Sequence, residues 1–158
     1  MSYAIREINI EDAEFVNALR NSCIEYLHTR KIYTLEETEK WLENLKYPWF
    51  IIYNDKERCG YFRIDKIHDK LYIGMDILPL YRNQGIGTEL YRQFLPEILK
   101  YFEVDEIYLE VLEMNYRAIK VYEKVGFKYD GYSWHSFEDG TKIKSLHFKF
   151  KLEWFNIR

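Results

Sequence analysis

Cysteine and proline are scarce in this sequence, with only 2 Cys and 3 Pro among 158 residues. Two cysteines, Cys23 and Cys59, cannot build a disulfide framework, and they lack the spacing of metal ligands, so we expect both to be reduced. The four histidines form no HxxxH or HExxH pattern, so no metal site is predicted. These absences exclude the disulfide-stapled and zinc-dependent classes of protein.

Long apolar runs and an excess of positive charge are also missing. No segment approaches the roughly 20 apolar residues of a membrane helix, and the first residues lack the apolar centre of a signal peptide. We therefore expect a cytoplasmic protein with no membrane partner. The net charge of -3 disfavours a nucleic-acid partner. At 158 residues and 47% hydrophobic residues, the chain is expected to form one domain, residues 1–158, with a core of its own.

Aromatic residues, in contrast, are abundant: 15 Tyr, 10 Phe and 4 Trp. Most are expected in the core or on half-buried strands. A few, such as Tyr26, Tyr33, Trp49 and Trp134, could instead line the pocket of a substrate, although core packing is the first expectation for each.

Apolar periodicity predicts the element order β-α-α-β-β-β-α-β-α-β-β. The predicted strands cover 4–10, 49–53, 59–64, 71–78, 106–112, 129–136 and 145–152, and the predicted helices 11–27, 34–47, 87–101 and 115–125. Thr34 and Glu37 match a capping box, and Gly126 is placed to end the last helix. Pro96 should kink or end the third helix. The order implies a mixed sheet with helices on both faces.

The segment 71–95, LYIGMDILPLYRNQGIGTELYRQFL, reads as a strand, a turn at Pro79, a loop with Gly85 and Gly87, and a helix. Such a junction points free backbone N–H groups in one direction at the positive end of a helix dipole, where they can hold a phosphate or pyrophosphate. The alternative is that the two glycines merely open a helix. Leu90 rules out the dinucleotide pattern GxGxxG, and no Walker sequence follows.

Two motifs together resemble one family. LPLYRNQGIG at 78–87 resembles motif A of the GCN5-related N-acetyltransferase (GNAT) family, and LEVLEMNYRAIKVYEKVGF at 109–127 is similar to its motif B. The resemblance extends over nearly the whole chain. It implies the acyl-CoA N-acyltransferase fold, an α/β architecture with a central mixed, mostly antiparallel sheet of six or seven strands and about four helices. It also implies acetyl-CoA as cosubstrate.

The resemblance assigns the residues that contact CoA. Ile77 and Leu78 would offer backbone groups to the pantetheine arm and to an oxyanion, and Asn115 would contact the CoA arm besides capping its helix. The pyrophosphate would be cradled by the loop and helix start that follow, namely Arg82, Asn83, Gln84, Gly85, Ile86, Gly87 and Thr88.

Tyr122 and Glu110 are the candidate catalytic residues. Tyr122 lies seven residues after Asn115, where a family tyrosine is placed to protonate the leaving thiolate; the alternative is a packing role. Glu110 lies five residues before Asn115, where some relatives carry a general base, and strand alternation turns it away from the core. A structural role for Glu110, Asp76 as the base, or a water chain remain as alternatives.

The predicted function is transfer of an acetyl group from acetyl-CoA to a primary amine of a small molecule by direct attack in a ternary complex. An amino sugar or sugar nucleotide is the first candidate acceptor. The alternatives are acetylation of protein N-termini, as on ribosomal proteins, and a non-catalytic module that binds acyl-CoA. Monomer and homodimer are both compatible with the sequence.

Overall fold

Seven strands form one sheet in the computed structural model, which describes residues 2–157, with side chains through Trp154. The strands are β1 Tyr3–Glu7, β2 Phe50–Asn54, β3 Glu57–Ile67, β4 Lys70–Ile77, β5 Glu106–Leu112, β6 Lys128–Ser136 and β7 Lys142–Lys151. They lie in the order β1-β2-β3-β4-β5-β7-β6, and all neighbours are antiparallel except β4 and β5. The prediction of a mixed, mostly antiparallel sheet is confirmed.

Four helices accompany the sheet: α1 Ala13–Ser22, α2 Leu35–Glu43, α3 Ile86–Tyr101 and α4 Tyr116–Val125. Short 3-10 turns lie at Ile10–Asp12, Ile24–Tyr26, Pro79–Tyr81 and Leu152–Ile157. Within residues 2–157 none of the helices combines the length and apolar character needed to cross a bilayer.

The helices cover both faces of the sheet, as predicted. On one face Leu90 and Phe94 of α3 and Val125 of α4 pack against strand residues such as Phe62 and Leu109. On the other face the apolar side of α1 packs against Ile51 and Tyr61. Because successive strand residues alternate in direction, each strand supplies side chains to both layers.

The sheet opens between β4 and β5. These parallel neighbours are paired at Tyr72 and Tyr108 alone, whereas each antiparallel pair is in register over five residues or more. Beyond this point the carboxyl ends of the two strands are no longer joined by the ladder. Ligands of open sheets commonly bind at such a position.

Local capping signals are confirmed by the structure. Thr34 Oγ1 accepts a hydrogen bond from Glu37 N at 3.1 Å, and Glu37 Oε1 accepts one from Thr34 N at 3.0 Å. Asn115 Oδ1 caps α4 by accepting from Ala118 N at 3.4 Å. Gly126 ends α4 at a φ of 112°, which a residue with a side chain rarely adopts.

The predicted first strand and first helix are both too long. The strand ends at Glu7, and Asn9 then opens a 3-10 turn in which Asp12 Oδ2 accepts from Asn9 N at 2.8 Å. Buried Asp12 is held there by Arg6 and Arg58, so α1 starts at Ala13, and it ends at Ser22 instead of residue 27. The helix predicted to reach residue 47 likewise ends at Glu43.

Pro96 does not end α3, which continues to Tyr101. Its neighbours Leu95, Ile98 and Leu99 are all almost fully buried. Their packing therefore outweighs the one helical hydrogen bond that the proline removes. In the last hairpin the final strand β7 lies inside the sheet and β6 lies at its edge, an arrangement for which the sequence provided no expectation.

Candidate active site

A cavity of about 500 Å³ occupies the opening between β4 and β5. Its wall combines the end of β4, the loop before α3, the first turn of α3 and one side of α4. Residues of both sheet faces meet in it, since Asp76 pairs in register with Tyr61 of the α1 layer while Tyr122 packs in the α3–α4 layer. The predicted site residues that line it are Ile77, Arg82, Asn83, Gly85, Gly87, Thr88, Asn115 and Tyr122.

The start of α3 faces this cavity with free backbone donors. Gly85 is the N-cap at a φ of 74°, and no side chain caps the helix. The first backbone hydrogen bond of the helix runs from Glu89 N to Gly85 O at 3.2 Å. The N–H groups of the first turn therefore lack intrahelical partners, and together with the helix dipole they form an anion site. This geometry fits the pyrophosphate of acetyl-CoA.

Three residues predicted to contact CoA do not line the cavity. The Leu78 N–H donates to Cys59 O at 2.9 Å, and the contact of its backbone with the pantetheine arm or an oxyanion stays a prediction. Gln84 is exposed, and its Nε2 donates to Leu80 O at 2.7 Å. The Ile86 side chain is buried in the core, which leaves its backbone N–H as its possible contribution. Each of these groups thus makes a contact within the fold, a hydrogen bond for Leu78 and Gln84 and core packing for Ile86.

Arg82 lines the cavity and also ties its wall together. Its Nε donates to Ile77 O at 3.1 Å, and its Nη2 contacts Cys23 Sγ at 3.3 Å. The loop before α3 is therefore linked to the end of β4 and to the end of α1. Cys23, for which the sequence indicated no role, is a wall residue of the same cavity.

Tyr122 is placed in the cavity wall with 6% of its surface exposed. Burial raises the pKa of its phenol, while the positive charge of Arg63 acts in the opposite direction. At neutral pH Tyr122 therefore carries its proton, as a general acid must. Tyr91 lies beside it, with ring centroids 5.8 Å apart, and the buried Tyr91 hydroxyl has no hydrogen-bond partner within the described chain.

A second cavity, of about 340 Å³, adjoins the first along β4. Gly74 lines the second cavity, and Asp76, two residues further along the same face of β4, lines the first. Glu110 lies in the second cavity, on the strand face opposite to the buried Leu109 and Val111, which confirms the predicted alternation. The two catalytic candidates, Glu110 and Tyr122, are thus placed in neighbouring cavities.

Glu110 has a partner that the sequence did not indicate. His147 Nδ1 lies 3.3 Å from Glu110 Oε1, and Ser133 Oγ lies 2.8 Å from His147 Nε2. The two residues face each other because Glu110 and His147 are register partners on β5 and β7. A prediction of this contact would have required the strand order, which apolar periodicity does not supply.

His28 is a second half-buried histidine, at the rim of this cavity. Its Nε2 lies 2.7 Å from Ser145 Oγ, and its backbone carbonyl accepts from His135 Nε2 at 2.7 Å. Burial and the nearby His135 lower the pKa of His28 to about 4, so the ring is neutral at pH 7. In the described part of the chain these side chains do not converge on a metal-binding arrangement.

Asp76 and Arg63 stand between the two cavities. Asp76 Oδ2 lies 3.3 Å from Arg63 Nε, and Asp76 lines the first cavity whereas Arg63 lines the second. Asp76 is only 8% exposed. The sequence pointed to Asp76 as a rival base, but Arg63 was missed because its position follows from the β3–β4 register.

The site thus consists of two adjoining cavities, one with an anion site and a buried phenol and one with carboxylates. The model of the Acetyltransferase (GNAT) family matches residues 11–127 of this chain. The chain therefore belongs to the GNAT acetyltransferase family. The predicted fold is confirmed, and so is the predicted family.

The proteins to which this chain is similar are named for different acceptors. An N-alpha-acetyltransferase of Sulfurisphaera tokodaii is 35% identical over 68 residues, which span 43% of this chain but only 41% of that relative. The spermidine N(1)-acetyltransferase of Escherichia coli is 24% identical over 86% of this chain and 78% of its own length. The solved structure of spermidine N-acetyltransferase from Vibrio cholerae, in complex with CoA and spermine, superposes with a TM-score of 0.82 at 20% identity and covers 96% of both chains.

Proposed function

We propose that this protein transfers the acetyl group of acetyl-CoA to a primary amine of a small molecule, by direct attack in a ternary complex. The observation that carries the proposal is the junction of the two cavities along β4, with the uncapped start of α3 on one side and Glu110 on the other. Each substrate has its own cavity, and the reacting groups would meet between them. A ternary complex is therefore favoured over a covalent acetyl-enzyme.

The residues of the first cavity fit acetyl-CoA. The backbone N–H groups of Ile86, Gly87 and Thr88 would bind its pyrophosphate, and Asn115 would contact its arm. When bound, acetyl-CoA supplies an activated acetyl group and a thiolate leaving group. Tyr122 holds a proton on its phenol oxygen in the same cavity, and this proton would go to the departing thiolate.

The amine must lose a proton before it attacks, because an alkylammonium group has a pKa near 10. Two carboxylates are placed to receive that proton, directly or through water. Glu110 lies in the second cavity beside His147, and Asp76 lies at the boundary beside Arg63. We propose Glu110 as the base, with Asp76 as the alternative.

The second cavity suits a small acceptor. Trp49 and Tyr72 contribute aromatic surface to its wall, on which a sugar ring or an aliphatic chain can pack. A relative that matches 86% of the chain is named for spermidine, which supports a small amine. An amino sugar stays a prediction. Protein N-termini are the second candidate acceptor, supported by the names of the archaeal relatives.

The first test is release of CoA thiol from acetyl-CoA across polyamines, amino sugars, aminoglycosides, amino acids and N-terminal peptides. We expect turnover with one class of small amine. Turnover confined to peptides would replace the small-molecule proposal with the second candidate. Tight binding of acetyl-CoA without thiol release for any amine would identify a non-catalytic module.

A further inference from the structure

Arg63 reaches into the second cavity through a gap that Gly74 leaves. The two residues are register partners on β3 and β4, and a Cβ atom added to Gly74 would lie 2.5 Å from Arg63 Nη2 and 2.6 Å from its Cζ. Any side chain at position 74 would displace the guanidinium. The absence of a side chain on Gly74 thus provides the space in which this charged group lies.

The guanidinium of Arg63 has unused hydrogen-bonding capacity. Its side chain is 34% exposed, and its charge has one partner, Asp76, at 3.3 Å. Neither Arg63 Nε nor Asp76 Oδ2 makes a hydrogen bond within the described chain, although both atoms are buried. Because the buried Nε faces Asp76, an incoming anion would meet Nη1 and Nη2 beside Gly74, for which the described chain supplies no hydrogen-bond acceptor. Such a pair of donors suits a planar anion.

The other cation of this cavity, Arg20, already has hydrogen-bond partners, whereas the carboxylate of Glu110 keeps one oxygen, Oε2, with no contact in the described chain. Arg20 donates to the backbone carbonyls of Lys31 and Thr29 at 3.0 and 3.2 Å. Asp65 accepts from Lys66 N at 2.8 Å, and Glu110 pairs with His147 at 3.3 Å. Among the described residues that line the cavity, Arg63 is therefore the cation available to a ligand.

We propose that the acceptor is a primary amine that also carries an anionic group, a carboxylate or a phosphate, and that Arg63 binds this group. The inference rests on the proposed function and specifies its substrate class. A molecule with both an ammonium and an anion finds an opposite charge for each in this cavity, Glu110 for the first and Arg63 for the second. Arginine matches carboxylate and phosphate oxygens in pairs. A polyamine, which is positive throughout, would be repelled by Arg63.

The test compares amines that differ only in the anion. An amino acid is compared with its carboxamide, and phosphoethanolamine with ethanolamine, while spermidine serves as the polycation. We expect kcat/KM to favour one anionic amine over its neutral counterpart by about 10-fold or more, which is the range for a hydrogen bond to a charged group. The carboxylate and phosphate pairs show which anion is used. A preference for the neutral members or for spermidine would overturn the inference.

The variant Arg63→Met should remove this preference by roughly 10- to 100-fold, chiefly through KM. The preference is a ratio of kcat/KM values for two paired substrates. An effect of the substitution on Asp76 that changes both values equally therefore cancels. Arg63→Lys should retain part of the preference, and Gly74→Ala should lose it although the arginine is kept. Lys66→Met is the matched control, because it removes one charge from an exposed position of the same strand, and its ratio should equal that of the wild type.

Binding provides a readout that does not depend on turnover. Calorimetry of the CoA complex should show the anionic amine binding to the wild type and at least 10-fold more weakly to Arg63→Met. Such binding without turnover for any amine would contradict the proposed function and leave the inference standing. Equal binding or an unchanged preference in Arg63→Met would contradict the inference and leave the proposed function standing.

Discussion

Tyr122 combines burial with a position in a cavity wall. Burial alone is compatible with a packing residue, since its ring lies within about 6 Å of Tyr91, Phe127 and Phe148. Removing the hydroxyl and keeping the ring separates the two roles. If Tyr122 only packs, this change should cost almost no activity. If Tyr122 donates the proton, this change should remove acid catalysis.

Tyr122→Phe should reduce kcat by roughly 10²- to 10⁴-fold, because no group would then protonate the thiolate, while the Kd for CoA changes little. Because the pKa of Tyr122 is raised above its ordinary value of 10, the wild type should show no loss of acid catalysis between pH 7 and 9. Steady-state kinetics and CoA calorimetry provide the measurement. Tyr129→Phe, on the exposed edge strand, is the control. Unchanged turnover in Tyr122→Phe would leave the packing role.

His28 should make the stability of the protein depend on pH. Its pKa is about 4 in the folded state and near 6.5 when unfolded, so the unfolded state binds the proton more readily. The contribution of neutral His28 to the free energy of unfolding is complete above pH 6.5. It is lost as the pH falls toward 4, which lowers that free energy by up to about 3 kcal/mol. Urea unfolding at pH 7 and pH 4.5 should show a smaller decline for His28→Gln than for the wild type. Equal declines in stability for the two proteins would show that the pH dependence arises from groups other than His28.

The sequence predicted side chains whose roles follow from local order. Asn115 and Glu110 could be found because a helix start and a strand alternation are each readable within ten residues. Arg63 and His147 could not, since each acquires its role from a residue on another strand. The hydrogen bond from the Leu78 N–H to Cys59 on β3 could not be predicted for the same reason.

At the scale of elements, the start of α3 depends on two glycines for different reasons. Gly85 adopts a φ of 74°, and the space around it is open within 4 Å, so its requirement is conformational. Gly87 lies inside the helix, where an added Cβ would contact Met75 Cε at 3.3 Å and Val121 Cγ2 at 3.4 Å. Met75 is flexible enough to move by a few tenths of an ångström.

Gly85→Ala should therefore destabilise the protein by about 1–2 kcal/mol, the cost of a left-handed conformation for alanine. Gly87→Ala should be nearly neutral, because alanine favours a helix by about 1 kcal/mol over glycine and offsets the crowding. Denaturant unfolding of both variants measures the difference. A Gly85→Ala variant as stable as the wild type would show that its backbone conformation is not required.

The elements that the sequence predicted well are those with strong local signals. The capping box at Thr34 and the glycine at position 126 gave helix boundaries that the structure retains. Boundaries set by tertiary contacts were missed. Asp12 starts α1 late because two arginines from β1 and β3 hold it, and α3 passes Pro96 because its last turn is buried.

The whole molecule consists of two groups of strands joined at one point, the pairing of Tyr72 with Tyr108. Apolar periodicity predicted the number of strands and the helices on both faces. It could not predict that β7 would lie between β5 and β6, because that arrangement depends on contacts distant in sequence. The opening between β4 and β5 was not predicted, since no residue pattern indicated it.

Binding of CoA in this opening should stabilise the folded chain as a whole. At 100 times its Kd the ligand adds about 2.7 kcal/mol, which corresponds to a rise in Tm of roughly 5–10 °C for a domain of this size. Thermal unfolding with and without CoA provides the measurement. Pantetheine, which lacks the phosphates, should give a much smaller shift at the same concentration. Equal shifts would contradict an anion site at the start of α3.

The single pairing of Tyr72 with Tyr108 also bears on how such a protein can change during evolution. The acceptor cavity is built mostly from residues 20–74, whereas the donor cavity depends on the start of α3 and on α4. Because the strand groups meet at that one pairing and the two cavities share no lining residue, many substitutions in one cavity need not disturb the other. Acceptor preference can therefore diverge while the donor stays the same.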